Sequence, residues 1–145
     1  MEIRLLQAED FTQWQPLWQG YLTFYQTSLD DVVTQHTWHN ISSAAQIQGL
    51  GAFDGEKLVG FAHIVIHPNT WNTTPCCYLE DLFVAESYRG RGIGKQLIEY
   101  IYQLAEKQQF NRVYWMTDRD NHTAQKLYDK LAKQTSMVQY RKDIK

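Results

Sequence analysis

The chain reads as an α/β (α+β) protein whose sheet is mixed but mostly antiparallel, with helices on both faces. Three observations predict this. A hairpin is legible in "GLGAFDGEKLVGFAHIVIH", two strand-like runs around Asp54-Gly55. Apolar residues fall at helical spacing before that hairpin and again after the glycine-rich stretch "YRGRGIG". The elements follow the order β-α-α-β-β-β-α-β-α-β, in which helices interrupt a run of strands. At 145 residues, 43% apolar and 21% charged, the chain fits one domain over 1–145, and a core of that size needs no staple.

Each element has its own signal. "EIRLL" alternates and opens the chain as a strand. Asp10 stands where a cap belongs, ahead of a helix in which Phe11, Trp14, Leu17, Trp18, Tyr21 and Tyr25 recur. A shorter helix fits "LDDVVTQHTWHNI". After the hairpin, "HPNTWNTTP" has loop composition and "CCYLEDLFV" is a strand. Ile93, Leu97, Ile98, Ile101 and Leu104 mark an amphipathic helix, and "RVYWMT" another strand. Asn121 caps a helix with Ala124, Leu127, Tyr128 and Leu131 on one face, and "SMVQYRK" is expected to close the sheet. There is no repeat, low-complexity tract or linker.

Composition removes several classes of function. A net charge of -2 without a basic block argues against nucleic acid as the main partner. No apolar run approaches the roughly 20 residues of a membrane span. "MEIRLLQAED" carries acids and no long apolar core, unlike a signal peptide. The adjacent Cys76 and Cys77 suit a reducing cytoplasm and, with nothing nearby to activate a thiol, an inert role. His63 and His67 lie four apart on one strand, but no third ligand stands at recognisable spacing, so no metal is expected.

The glycine stretch joins a strand to a helix. A dinucleotide fingerprint would need glycine where Lys95 stands, and a P-loop would need Ser or Thr at Gln96. A helix N-terminus still offers free N–H groups and a partial positive charge. Gly90, Gly92 and Gly94 leave those groups open to an anion, and Arg89 and Arg91 add charge. The stretch suits a pyrophosphate held by backbone amides; the same residues also fit a turn with solvated arginines. Upstream, "YLEDLFV" sets Glu80 and Asp81 side by side in an apolar run. In a regular strand neighbours face opposite ways, and an unpartnered buried carboxylate is costly, so at least one needs a cavity or a positive partner.

"RGRGIG" matches the Arg/Gln-x-x-Gly-x-Gly/Ala pattern, and together with "YLEDLFV" and "DRDNHTAQKLYDKLA", in order and spacing, it resembles the GCN5-related N-acetyltransferases over essentially the whole chain. Within them it looks most like the polyamine and histone-and-polyamine subgroup. The resemblance implies acetyl-CoA as cosubstrate without metal. Arg89, Gly90, Arg91, Gly92, Ile93, Gly94 and Lys95 would surround the pyrophosphate, a β-bulge would let the backbone of Leu82, Phe83 and Val84 pair with the pantetheine arm, and Asn121 and Ala124 would also meet the coenzyme. It places amine deprotonation on Glu80 and protonation of the leaving thiolate on Tyr128, by direct transfer in a ternary complex. Glu80 also fits an edge pair or a structural ion pair, and Tyr128 a core aromatic beside Leu127 and Leu131. Glu80 and Asp81 would bind the acceptor, a small-molecule amine or lysine-like group, with an aromatic such as Tyr25 giving a face to its cation. The subgroup implies a homodimer. A module holding acetyl-CoA without turnover would keep the same loop. The family often has "GF" after its tyrosine; this chain reads "LYDKLAKQTSMVQY", which loosens the register of the last strand.

Overall fold

The computed structural model describes residues 1–145, which gather into two compact units, Met1–Trp115 and Met116–Lys145. The first unit holds β1 (Glu2–Leu5), α1 (Phe11–Phe24), α2 (Asp31–Ser43), β2 (Ile47–Asp54), β3 (Lys57–His67), β4 (Cys76–Val84), α3 (Ile93–Gln108) and β5 (Arg112–Tyr114). The strands form one sheet in the order β1-β2-β3-β4-β5, antiparallel except where β5 runs parallel to β4.

The pleat divides the side chains of β3 between two helical layers. Phe61 meets the Trp18 and Tyr21 rings of α1. Its neighbour Gly60 faces α3, where an added Cβ would stand 3.5 Å from Ile93. On the α1 side lies an aromatic core in which Trp14, Trp18 and Trp38 are buried with Leu22, Ile41 and Phe61. Trp14 stacks on Trp18 at 5.5 Å and meets Trp38 at 4.9 Å. Glycine lets α2 come this close: a Cβ at Gly49 would stand 2.5 Å from Ile41 Cγ2. On the other side, α3 buries Ile93, Leu97, Ile98, Ile101 and Ala105.

Three expectations are corrected. Asp10 starts α1 but does not cap it with its side chain. Its buried carboxylate instead takes both arms of Arg4, at 2.8 and 3.0 Å, and the Gln7 N–H at 2.7 Å. An offered guanidinium fork outcompetes a neutral backbone donor. "RVYWMT" gives only three residues of strand, Arg112–Tyr114. "SMVQYRK" forms no strand. In the second unit α4 spans His122–Leu131, and the residues after it adopt no regular element, with Met137, Val138, Tyr140 and Ile144 exposed. Alternation alone makes no strand without an edge to pair with.

Hydrogen bonds from Arg4 hold the Asp10 carboxyl below its ordinary range, ahead of the opposing effect of burial. The depressed pKa belongs to the folded state, so its stabilisation is complete above the unfolded carboxylate value of about 3.9 and is lost as pH falls through the folded value. Asp10→Asn should cost about 1–3 kcal/mol at pH 7, with a smaller difference from the parent below about pH 4. Urea denaturation at the two pH values checks this; an equal loss at both would mean that shape, not charge, matters at Asp10.

Candidate functional site

In β4 one residue has no partner across the strand pair. His63 faces Asp81 while Ile64 faces Leu79, which leaves Glu80 as the extra residue of a β-bulge. Had the register of Cys76–Leu79 continued unbroken, Asp81 would face Ala62 and the apolar α3 layer. The bulge shifts the phase by one. Asp81 and Phe83 then join His63 and Phe61 on the α1 side, and Glu80 stands beside Asp81 with its side chain solvent-accessible. The protein around its carboxyl, then the Asp81 charge, hold Glu80 above the ordinary carboxylate range; a positive His63 would oppose this.

Asp81 is enclosed by donors from two other elements. Tyr21 on α1 donates its hydroxyl to Oδ1 at 2.7 Å, and His63 Nδ1 lies 2.9 Å from Oδ2. Behind the imidazole, Trp14 Nε1 reaches His63 Nε2 at 3.1 Å. An indole N–H only donates, so Nε2 accepts, and the hydrogen on Nδ1 is the one given to Asp81. This assignment makes His63 a neutral ring, without a charge to lower the Glu80 pKa. Burial and the Asp81 charge raise Tyr21 far above its ordinary phenol value, which keeps it a donor. Just past the end of α1, the Tyr25 ring lies 5.0 Å from Tyr21 and 5.2 Å from Phe24, and both Tyr25 and Phe24 are exposed.

At the far end of β4 the chain passes through a short 3-10 turn, Glu86–Tyr88, into the glycine loop. Gly90 and Gly92 both have positive φ, +79° and +76°, with open space where a Cβ would be, and Gly92 precedes the first turn of α3. Gly94 lies in that turn; the Ile93 side chain is buried, leaving only its backbone to a ligand, and Lys95 pairs with Glu99 at 3.7 Å. Arg89 is braced by its Nε on Val84 O at 3.0 Å and by the Phe83 and Phe24 rings. Arg91 lies over Tyr88, whose hydroxyl holds Asp54. Parallel pairing of β4 to β5 stops at Tyr78 and Tyr114, so Leu82, Phe83 and Val84 have a strand on the β3 side alone. In the second unit, Asn121 caps α4, its Oδ1 accepting from the Ala124 N–H at 3.2 Å, and Tyr128 is half-buried two turns on.

A family model described as Acetyltransferase (GNAT) family matches residues 6–132. The chain belongs to the GNAT acetyltransferase family. It is 35% identical over 144 residues to D-amino-acid N-acetyltransferase HPA3 of Saccharomyces cerevisiae, covering 97% of this chain and 89% of that one. A shorter match, 34% over 62 residues, covers 43% of this chain and 9% of the human spermidine/spermine N(1)-acetyltransferase-like protein 1. In fold it is similar to the crystal structure of a probable acetyltransferase, with a TM-score of 0.89 at 21% identity over 100% of this chain and 99% of that one.

As a family member the protein is an acetyl-CoA-dependent N-acetyltransferase. The residues present suit that cosubstrate: a helix N-terminus behind two positive-φ glycines is open to an anion such as a pyrophosphate, and the strand edge beyond Tyr78 is free to pair with an amide-bearing arm. Sequence reasoning missed Tyr21 and His63 as partners of Asp81, and Trp14 as the donor behind His63. A signal is present, since His63 interrupts the apolar run "LVGFAHIVI". His67 bonds Tyr114 and Pro68. Both cysteines are buried, and burial pushes the Cys77 thiol up to about 12.

Gly92→Ala should lose about 1–2 kcal/mol of stability from its φ alone and also weaken acetyl-CoA binding. Gly55, at φ +61° in an equally open turn between β2 and β3, is the control. Gly55→Ala should lose similar stability and bind as the parent does. Equal affinities for both variants by calorimetry would remove the loop from the coenzyme site.

Proposed function

We propose that this acetyltransferase acetylates the primary amine of a small molecule by direct transfer in a ternary complex, with Glu80 taking the proton of the incoming ammonium and Tyr128 returning one to the departing thiolate. The observation that carries it is the bulge, which sets a solvent-accessible carboxyl with raised proton affinity on the strand whose edge is open. An alkyl ammonium has a pKa of about 10.4 and cannot attack a thioester until it loses a proton. A carboxyl with a raised pKa is a better base than an ordinary one. A tyrosine hydroxyl is a hydrogen-bond donor that can supply a proton to a leaving thiolate, and Tyr128 is assigned that role here.

Among acceptors, the amine of an amino acid has the wider support, because the yeast relative that spans nearly the whole chain is named for D-amino acids. A polyamine has the support of the shorter human match. The exposed rings of Phe24 and Tyr25 offer a face to a cationic acceptor of either kind. Asp81 adds negative charge, and the reading assigns Asn121 and Ala124 to coenzyme contacts. The reading includes a homodimer in a reducing cytoplasm. The exposed Met137, Val138, Tyr140 and Ile144 support the first, for which light scattering is the check, and the two free cysteines suit the second.

Thiol release from acetyl-CoA with a panel of D-amino acids, L-lysine and spermidine tests the reading directly. The parent's kcat/KM should rise with pH through the ionisation of Glu80, because the unprotonated form is the base. Glu80→Gln should remove that ionisation and leave the one belonging to the amine. An amine of lower pKa, already partly neutral, should lose less. If the variant slows both amines equally and raises KM, Glu80 binds the cation and does not act as base.

Tyr128→Phe should slow turnover by about 10²–10⁴-fold and leave acetyl-CoA affinity nearly intact. A rate within about twofold of the parent would assign Tyr128 to packing alone.

A further inference from the structure

Asp81 is bonded by two residues distant in sequence, and a third stands behind one of them. Tyr21 lies 60 residues away, His63 18 residues away, and Trp14 stands 49 residues from His63. Trp14 and His63 are buried, and the Asp81 side chain is 16% exposed. The rings are braced as well as bonded: Trp14 stacks on Trp18, and Phe61 stacks on His63 at 4.7 Å. The chain of bonds cannot conduct a proton, because its last member, the Trp14 N–H, has no acceptor capacity. What such a chain can do is hold a group still.

We propose that His63 and Tyr21 are positioning residues for acetyl transfer: each takes one oxygen of Asp81 and clamps its carboxylate at the bulge, so that Asp81 is the fixed negative neighbour of Glu80 and the docking charge for the acceptor ammonium. Trp14 serves the clamp one step back, by fixing which nitrogen of His63 carries the hydrogen. The proposal rests on the reading that this strand meets the amine. Without the two donors, a carboxylate on the aromatic α1 side would turn toward water and away from Glu80. The titratable groups around Glu80 are Asp81 on its own strand, His63 on β3 and Tyr21 on α1. Of these, Asp81 is the one that raises the proton affinity of Glu80, second to burial.

The test is a double-mutant cycle on steady-state kinetics across pH, at saturating acetyl-CoA, with D-lysine and spermidine as acceptors. Tyr21→Phe removes one oxygen and keeps the ring; His63→Leu removes the donor; His63→Asn keeps an N–H near the Nδ1 position. In the parent background, Tyr21→Phe and His63→Leu should each raise KM about tenfold. Each should also move the acid limb of kcat/KM to lower pH, because an unclamped Asp81 no longer raises Glu80. His63→Asn should restore most of both. In an Asp81→Asn background each effect should shrink to less than about twofold, since the clamp acts only through Asp81. Tyr21→Phe decides the matter if His63→Leu fails to fold. Nitrogen-15 spectra of the parent should show the hydrogen on Nδ1 of His63 and a bare Nε2. The opposite tautomer, effects undiminished in the Asp81→Asn background, or an acid limb that does not move would each overturn the proposal. A parent that acetylates neither amine nor any other in the panel sinks the reading of the strand and the clamp with it. An active parent with insensitive variants sinks the clamp alone.

Discussion

One extra residue in β4 sets the chemistry of the first unit. With Glu80 unpaired, every β4 side chain from Asp81 onward stands on the opposite face from the one an unbroken register would give it. Asp81 then meets His63 and Tyr21 in place of an apolar layer of Leu50, Ala62 and Leu97, where its charge would have no partner. Phe83 comes to the same side and packs with Tyr21 and Phe61. The bulge and the burial of Asp81 are therefore one fact: the strand breaks register where continuing it would bury a bare carboxylate.

The aromatic content gains a reason from the same place. Aromatic rings with few polar atoms would make a sufficient but indifferent core. Here two of them carry a hydrogen-bonding tip that ends on the network: the Trp14 indole on His63 and the Tyr21 hydroxyl on Asp81. Their flat faces stack at the same time, Trp14 on Trp18 and Trp18 on Tyr21. A ring that both stacks and donates has little freedom left, so α1 is a rigid backing for β3 and β4. Beyond Tyr21, where the network ends, Phe24 and Tyr25 emerge into solvent.

At the other end of β4 the solution is a matter of backbone. Two glycines at positive φ turn the chain into α3 without side chains over the helix N-terminus. Arg89, just before them, and Arg91, between them, are steadied by rings and by a carbonyl, which holds their charge near the loop. Strand, bulge, open edge and glycine turn follow one another within Cys76–Gln108, which puts the Glu80 carboxyl and the glycine turn on one continuous stretch of chain.

Much of this was legible in order and spacing. The hairpin at Asp54-Gly55, the strand "CCYLEDLFV", the helix from Ile93 and the Asn121 cap are local: each depends on periodicity or on a residue bonding a few positions away, and each stands where the sequence puts it. The glycine loop was legible for the same reason, since positive φ is a property of single residues. What the sequence could not decide is whatever needs two distant segments at once. Asp10 was read as a cap because its nearest backbone donors are local; tertiary structure gave it to Arg4. "SMVQYRK" alternates like a strand, but a strand exists only when another edge accepts its hydrogen bonds, and none does. Glu80 and Asp81 announced a cost, whereas the partners that remove it, Tyr21 and His63, lie on other elements. Periodicity tells a residue which face it has; only packing tells it what waits there.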